Sequence, residues 1–199
     1  QKLVDLMEYD AMLICPGEEL LFFTGFTPMQ CERFQGLFVK KDGSCFYLCN
    51  ILYTGEVSAA FKGEFPLYDW HDNEGMQKVY KILREQGLAG KTIGVNSSAQ
   101  AFNVLDIGAN CDIHFVNGKP LVEECRIRKS HEELERMRKS AAVADGAFEL
   151  ACAMIRPGIT EGDIRDVIVG HMAKNGGSNF DCIVASGPNS SYPHYMAYD

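Results

Sequence analysis

The sequence predicts an α/β protein: a mixed sheet flanked by helices, followed by a second part that is mainly helical. Over roughly the first 120 residues, apolar segments of strand length alternate with amphipathic segments of helical period. Two of those strands are joined by "KDGS", whose Asp42-Gly43 pair signals a hairpin and so an antiparallel pair within an otherwise crossover-connected sheet. After Ser130 the apolar spacing changes to steps of three and four.

The elements follow in order. "AMLIC" (11–15) and "LLFFTGF" (20–26) read as apolar strands bounded by Gly or Pro. "GLFVK" (36–40) and "CFYLC" (45–49) form the hairpin around Gly43, since glycine reaches positive φ without a Cβ clash. "NEGMQKVYKILREQG" (73–87) places Met76, Val79, Tyr80 and Leu83 at helical spacing, with Gly87 set to close the helix. A strand at "KTIGVN" (91–96), a short helix at "SSAQAFNVL" (97–105) and a strand at "CDIHFVN" (111–117) complete the first part.

The texture changes across "VNGKPLVEECRIRKS" (116–130), which puts a boundary near 118–128 and divides the chain into residues 1–120 and 121–199. Beyond it, Leu134, Met137, Ala141, Ala144, Phe148, Ala151 and Ile155 give one long helix its apolar stripe. Ser130 with Glu133 is a capping box, in which each residue satisfies the other's orphan backbone N–H. "RPG" (156–158) ends that helix because proline cannot continue it, and "TEGD" (160–163) starts the next. "KNGG" stops the second helix, and "FDCIVAS" (180–186) reads as a buried strand.

Composition excludes several function classes. A net charge of −8 supplies no basic field for a nucleic-acid backbone or an anionic membrane. The densest basic stretch, Arg126 to Lys139, is interleaved with Glu132, Glu133 and Glu135 and reads as a solvated helix face. No run of about 18 apolar residues exists to span a bilayer. The eight cysteines are scattered through apolar segments rather than spaced as a disulfide framework, so the expected compartment is a reducing, cytoplasmic one.

Metal-ligand spacing is likewise missing. Cys45 and Cys49 on one strand would stand roughly 13 Å apart, too far to share an ion. His71, His114, His131 and His171 stand alone and read as surface or packed side chains. Glu161 and Asp163 read as acids favoured at a helix N-terminus. "GPNSSYPHY" (187–195) by itself is an ordinary turn rich in Gly, Pro, Asn and Ser, although a turn delivered by a strand is a common way to present a reactive histidine.

The order of these segments is distinctive. "RIRKSHEELERMRKSAAVADGAF", "IRPGITEGDI" and "GGSNFDCIVASGPNSSYPHY" together resemble the opening of the catalytic domain of the creatinase/prolidase/Xaa-Pro aminopeptidase family, the M24-type peptidases of pita-bread fold. "LLFFTGF", Glu32-Arg33 and "GLFVKKDG" resemble that family's amino-terminal domain. The resemblance implies a creatinase-type amino-terminal domain followed by a partial pita-bread (α+β) catalytic domain, the front half of a longer enzyme.

It further implies hydrolysis of the peptide bond preceding proline, a proline-containing peptide as substrate, and a pair of divalent ions (Mn, Co or Zn). In the family those ions are held by carboxylates and a histidine that follow the Pro-His segment, so no metal ligand is expected within residues 1–199. Asp199 follows His194 too closely to be the first of them. His194 is the catalytic candidate, expected to hydrogen-bond the substrate carbonyl or the tetrahedral intermediate. The chain alone is then expected to be inactive and, with apolar faces unpartnered, to form a homodimer or larger species. Two alternatives stay open at this point: a creatinase-like hydrolase that works without metal, and a non-catalytic pita-bread binding module.

Overall fold

The computed structural model describes residues 1–178 and 182–196. The chain divides into two compact units, Gln1–Arg128 and Lys129–Asp199. The division follows helix α6 (Lys119–Arg126), whose buried Val122 and Cys125 pack into the first unit's core.

The first unit is built on one six-stranded sheet: β1 (Ala11–Ile14), β2 (Gly36–Lys40), β3 (Cys45–Asn50), β4 (Leu67–Trp70), β5 (Thr92–Val95) and β6 (His114–Asn117). Their spatial order is β4-β3-β2-β1-β5-β6. The sheet is mixed, as the hairpin requires: β2 runs antiparallel to β1 and β3, while β3–β4, β1–β5 and β5–β6 are parallel. At the β2–β3 turn Gly43 adopts φ +87°, and the Asp42 carboxylate accepts from Ser44 N at 2.9 Å and Ser44 Oγ at 2.6 Å.

Helices cover both faces, so the inner strands are buried on both sides and successive residues feed two separate cores. Ala11, Leu13, Phe38, Phe46, Leu48 and Ile93 point to one side, against α4 (Met76–Glu85) and α5 (Ala101–Cys111). Met12, Ile14, Leu37, Tyr47 and Cys49 point to the other, against α1 (Lys2–Leu6), α2 (Glu18–Thr24), α3 (Thr54–Phe61) and α6. Phe38 and Phe46 are register partners, and their rings stack at 4.8 Å. Burying each such ring contributes about 1.5–3 kcal/mol before the entropy of ordering it is subtracted.

One segment departs from its expected class. "LLFFTGF" is not a strand: Glu18–Thr24 is helix α2, with Gly25 at φ +76° donating its N–H to Leu21 O as a left-handed cap. A short aromatic run carries no clear period, and a following glycine closes a helix as readily as it ends a strand. The two acids at its start, Glu18 and Glu19, suit a helix N-terminus.

The second unit contains α7 (His131–Met154), α8 (Glu161–Lys174) and a 3-10 turn (Gly187–Ser191). The two helices pack on each other, and a Cβ at Gly146 of α7 would stand 3.0 Å from Nε2 of His171 on α8. "FDCIVAS" is not a strand over residues 182–186, which are irregular, with Ile183 49% exposed; residues 180 and 181 lie outside those described. Strand geometry needs a ladder partner for its N–H and C=O groups, and residues 182–186 belong to none of the six strands.

Candidate functional site

The second unit brings the expected catalytic segment together with the start of α8. Two capping boxes set the helices. Ser130 Oγ accepts from Glu133 N at 3.2 Å while Glu133 Oε2 accepts from Ser130 N at 2.6 Å. Thr160 Oγ1 accepts from Asp163 N at 3.1 Å, and Asp163 Oδ2 accepts from Thr160 N at 2.9 Å. The hydrogen bonds from Ser130 hold the Glu133 carboxyl below its usual value, and those from Thr160 do the same for Asp163.

Between the boxes the chain turns at Pro157-Gly158, with Gly158 at φ +91°. This returns α8 alongside α7 and places its first residue, Glu161, beside the turn that leads to His194. Glu161 Oε1 accepts from Ser186 Oγ at 2.9 Å and also from Ser186 N; Oε2 accepts from Asn189 Nδ2 at 2.9 Å. The Asn189 amide, the Ser186 backbone and hydroxyl donors and the Tyr195 side chain hold the Glu161 carboxyl below its ordinary range.

His194 follows the 3-10 turn and Pro193, and its side chain is exposed. Beside Glu161 opens a groove of about 540 Å³ lined by Phe148 and Ile155 of α7, Ile164 and Ile168 of α8, and Ile183. Phe148 and Ile155 are 68% and 66% exposed, so the apolar stripe expected from sequence is largely uncovered on this side.

The other sequence candidates do not converge. His71 and His114 belong to the first unit, His131 opens α7, and His171 packs against Gly146. Among the described residues no group of three His, Cys, Asp or Glu side chains could hold a metal ion, so those residues do not fit a two-ion centre. Asp199 lies outside the described residues. No helix among the described residues is long and apolar enough to cross a membrane.

Sequence reasoning missed the part played by Glu161, treating it as a helix-terminal charge. A signal was present: Asp163 already completes the capping box with Thr160, which leaves the acid at 161 available for another contact. In the first unit it also missed how Arg33 is used. Its guanidinium forks onto Asp72 (Nε to Oδ1 3.0 Å, Nη2 to Oδ2 2.8 Å), and buried Asn50 donates to the same carboxylate at 2.9 Å. Nothing local in sequence links Arg33 to a residue so distant.

Comparison with known proteins identifies the family. Residues 1–128 match the Creatinase/Prolidase N-terminal domain, and residues 135–199 match Metallopeptidase family M24. The chain is 29% identical over 192 residues to the uncharacterized peptidase YqhT of Bacillus subtilis, covering 96% of this chain and 52% of that protein. It thus spans about half the length of the curated relatives it matches. Among solved structures, dipeptidase PepE from Mycobacterium ulcerans superposes with a TM-score of 0.87 at 21% identity, covering 100% of this chain and 55% of that one. An Xaa-Pro dipeptidase from Bacillus anthracis gives a TM-score of 0.76 at 23% identity, covering 97% and 54%. The matched segments, together with the sheet and its two helical layers, lead to one assignment: the chain belongs to the creatinase/prolidase family, carrying its N-terminal domain and an M24 peptidase segment.

Proposed function

We propose that this chain is the front portion of a metal-dependent peptidase, an Xaa-Pro aminopeptidase or Xaa-Pro dipeptidase that cleaves the peptide bond preceding proline. The observation that carries this reading is the match of residues 135–199 to the M24 metallopeptidases, in a unit where two capped helices lead to the Pro193-His194 turn. The names of the structural relatives, a dipeptidase and a prolidase, support the substrate class.

In this reading the expected pair of divalent ions is held by carboxylates and a histidine that follow the Pro193-His194 turn, as the family resemblance implies. His194 is exposed at the end of its turn, where an imidazole N–H can donate to a carbonyl oxygen that gains charge as the bond is attacked. The apolar face of Phe148, Ile155 and Ile183 is where that downstream part packs. In its absence the same face favours self-association, so the isolated chain is expected to run as a homodimer or larger in sedimentation at tens of micromolar, and a clean monomer would count against this. The scattered cysteines, none joined in a disulfide among the described residues, support a cytoplasmic location.

The test is a hydrolysis assay with Xaa-Pro dipeptides and Mn²⁺ or Co²⁺. A polypeptide extended to the length of the relatives should turn them over, and residues 1–199 should not. Turnover by residues 1–199 alone would refute the division of labour.

A further inference from the structure

The segment that carries His194 has little structure of its own. Within it, Asn189 N donates to Ser186 O and Tyr192 N to Asn189 O, each at 3.1 Å. Such bonds shape the turn but do not fix it relative to the helices. Glu161, the first residue of α8, ties it to that helix. Glu161 takes the Ser186 hydroxyl and backbone N–H on one carboxylate oxygen and the Asn189 amide on the other, and it also receives a side-chain hydrogen bond from Tyr195, the neighbour of His194. These contacts bracket His194 on both sides in sequence. Capping is not what Glu161 supplies, because Thr160 and Asp163 already cap α8.

We propose that Glu161 is a positioning residue for His194, holding the 186–195 turn against the first turn of α8 and so setting where the imidazole is presented. This rests on the role proposed above for His194. The chemistry favours a carboxylate here: its two oxygens carry acceptor sites only, matching donors that arrive from several directions. A glutamine offers one oxygen and one NH₂, so one face would set donor against donor.

The experiment follows the ring signals of His194 and the amide exchange of Ser186 and Asn189 by NMR in the chain of residues 1–199. Glu161→Gln should shift the His194 signals and speed exchange at Ser186 roughly two- to fivefold, the range a solvent-screened tether supports. Amides in the middle of α8 should keep their protection, since its capping box is untouched. Adding Asn189→Asp to Glu161→Gln restores a donor–acceptor pair with the roles reversed, and should return the His194 signals toward their original positions. Unchanged His194 signals and Ser186 exchange in Glu161→Gln would overturn the proposal, as would loss of α8 protection in step with them. Glu161→Asp, which keeps the charge but shortens the reach, gives a second variant with the same expected direction. If the tether behaves as described while His194→Ala leaves turnover of the extended protein intact, the positioning contact stands and the role assigned to His194 falls.

Discussion

Gly146 and His171 set the approach of the two helices in the second unit: a Cβ on the glycine would lie 3.0 Å from the imidazole Nε2. The absence of a side chain at residue 146 lets α7 and α8 pack closely there. Gly146→Ala adds helix propensity of up to about 1 kcal/mol, which offsets a small steric cost, so near-neutral stability is expected. Gly146→Leu keeps that propensity but adds bulk that His171 must escape, and should cost about 2 kcal/mol. Thermal or urea unfolding of the two variants separates the clash from the propensity. Equal stabilities would show that the helices do not meet at this glycine.

The capping boxes make two linked forecasts. Ser130→Ala and Thr160→Ala should each lower stability by about 1 kcal/mol, read as a smaller urea midpoint at unchanged slope. Glu133 and Asp163 have folded-state values depressed below their ordinary 4.5 and 3.8. Between the depressed and the ordinary value the unfolded chain binds more protons, so their contribution is present above the ordinary value and is lost as pH falls through the folded one. Stability of the second unit should therefore decline on acidification below about pH 4.5, and less steeply in the Ser130→Ala variant, whose Glu133 has lost a partner. An acid limb unchanged by that substitution would show that the Ser130 hydroxyl carries no proton linkage, the backbone N–H of residue 130 being retained.

Cysteine reactivity reports on both units. Burial pushes the thiols of Cys15 and Cys49 up to about 12, and both are enclosed in the sheet's cores. They should resist iodoacetamide at pH 8 until the protein unfolds. Cys152, exposed on α7 and lining the apolar groove, should react in the isolated chain. In a polypeptide extended to the length of the relatives it should become protected, because the proposed downstream half covers that face. Equal labelling of Cys152 in both would mean the groove stays open.

Most of the fold is legible in the sequence for a physical reason: wherever a period of two or a step of three and four runs long enough, it names its element. The strands at Ala11–Ile14, Gly36–Lys40, Cys45–Asn50 and Thr92–Val95 and the helices beginning at Met76, His131 and Glu161 are of this kind. So is the Ser130–Glu133 capping box, whose partners sit three residues apart; at "TEGD" the sequence shows the N-cap, and the structure adds Asp163 as the partner that completes a second box. What escapes is short or non-local. Helices α1, α3 and α6 and strand β4 are stabilised by packing onto the sheet rather than by strong local pattern. The strand expected at 180–186 carries the right residues, but residues 182–186 are irregular and belong to none of the six strands, since a strand depends on a ladder partner that local sequence does not name. At the candidate site, the motif order points to His194, whereas the bonds from Glu161 to Ser186 and Asn189 span 25 and 28 residues and leave no local trace.

The most direct test of the functional reading is the steady-state kinetics of His194→Ala in the polypeptide extended to the length of its relatives, assayed on an Xaa-Pro dipeptide with metal content measured in parallel. Loss of a donor to a developing oxyanion should lower kcat by about 10²–10³ with KM little changed and bound metal undiminished. A variant that keeps full kcat, or that loses activity only because it loses metal, would contradict it.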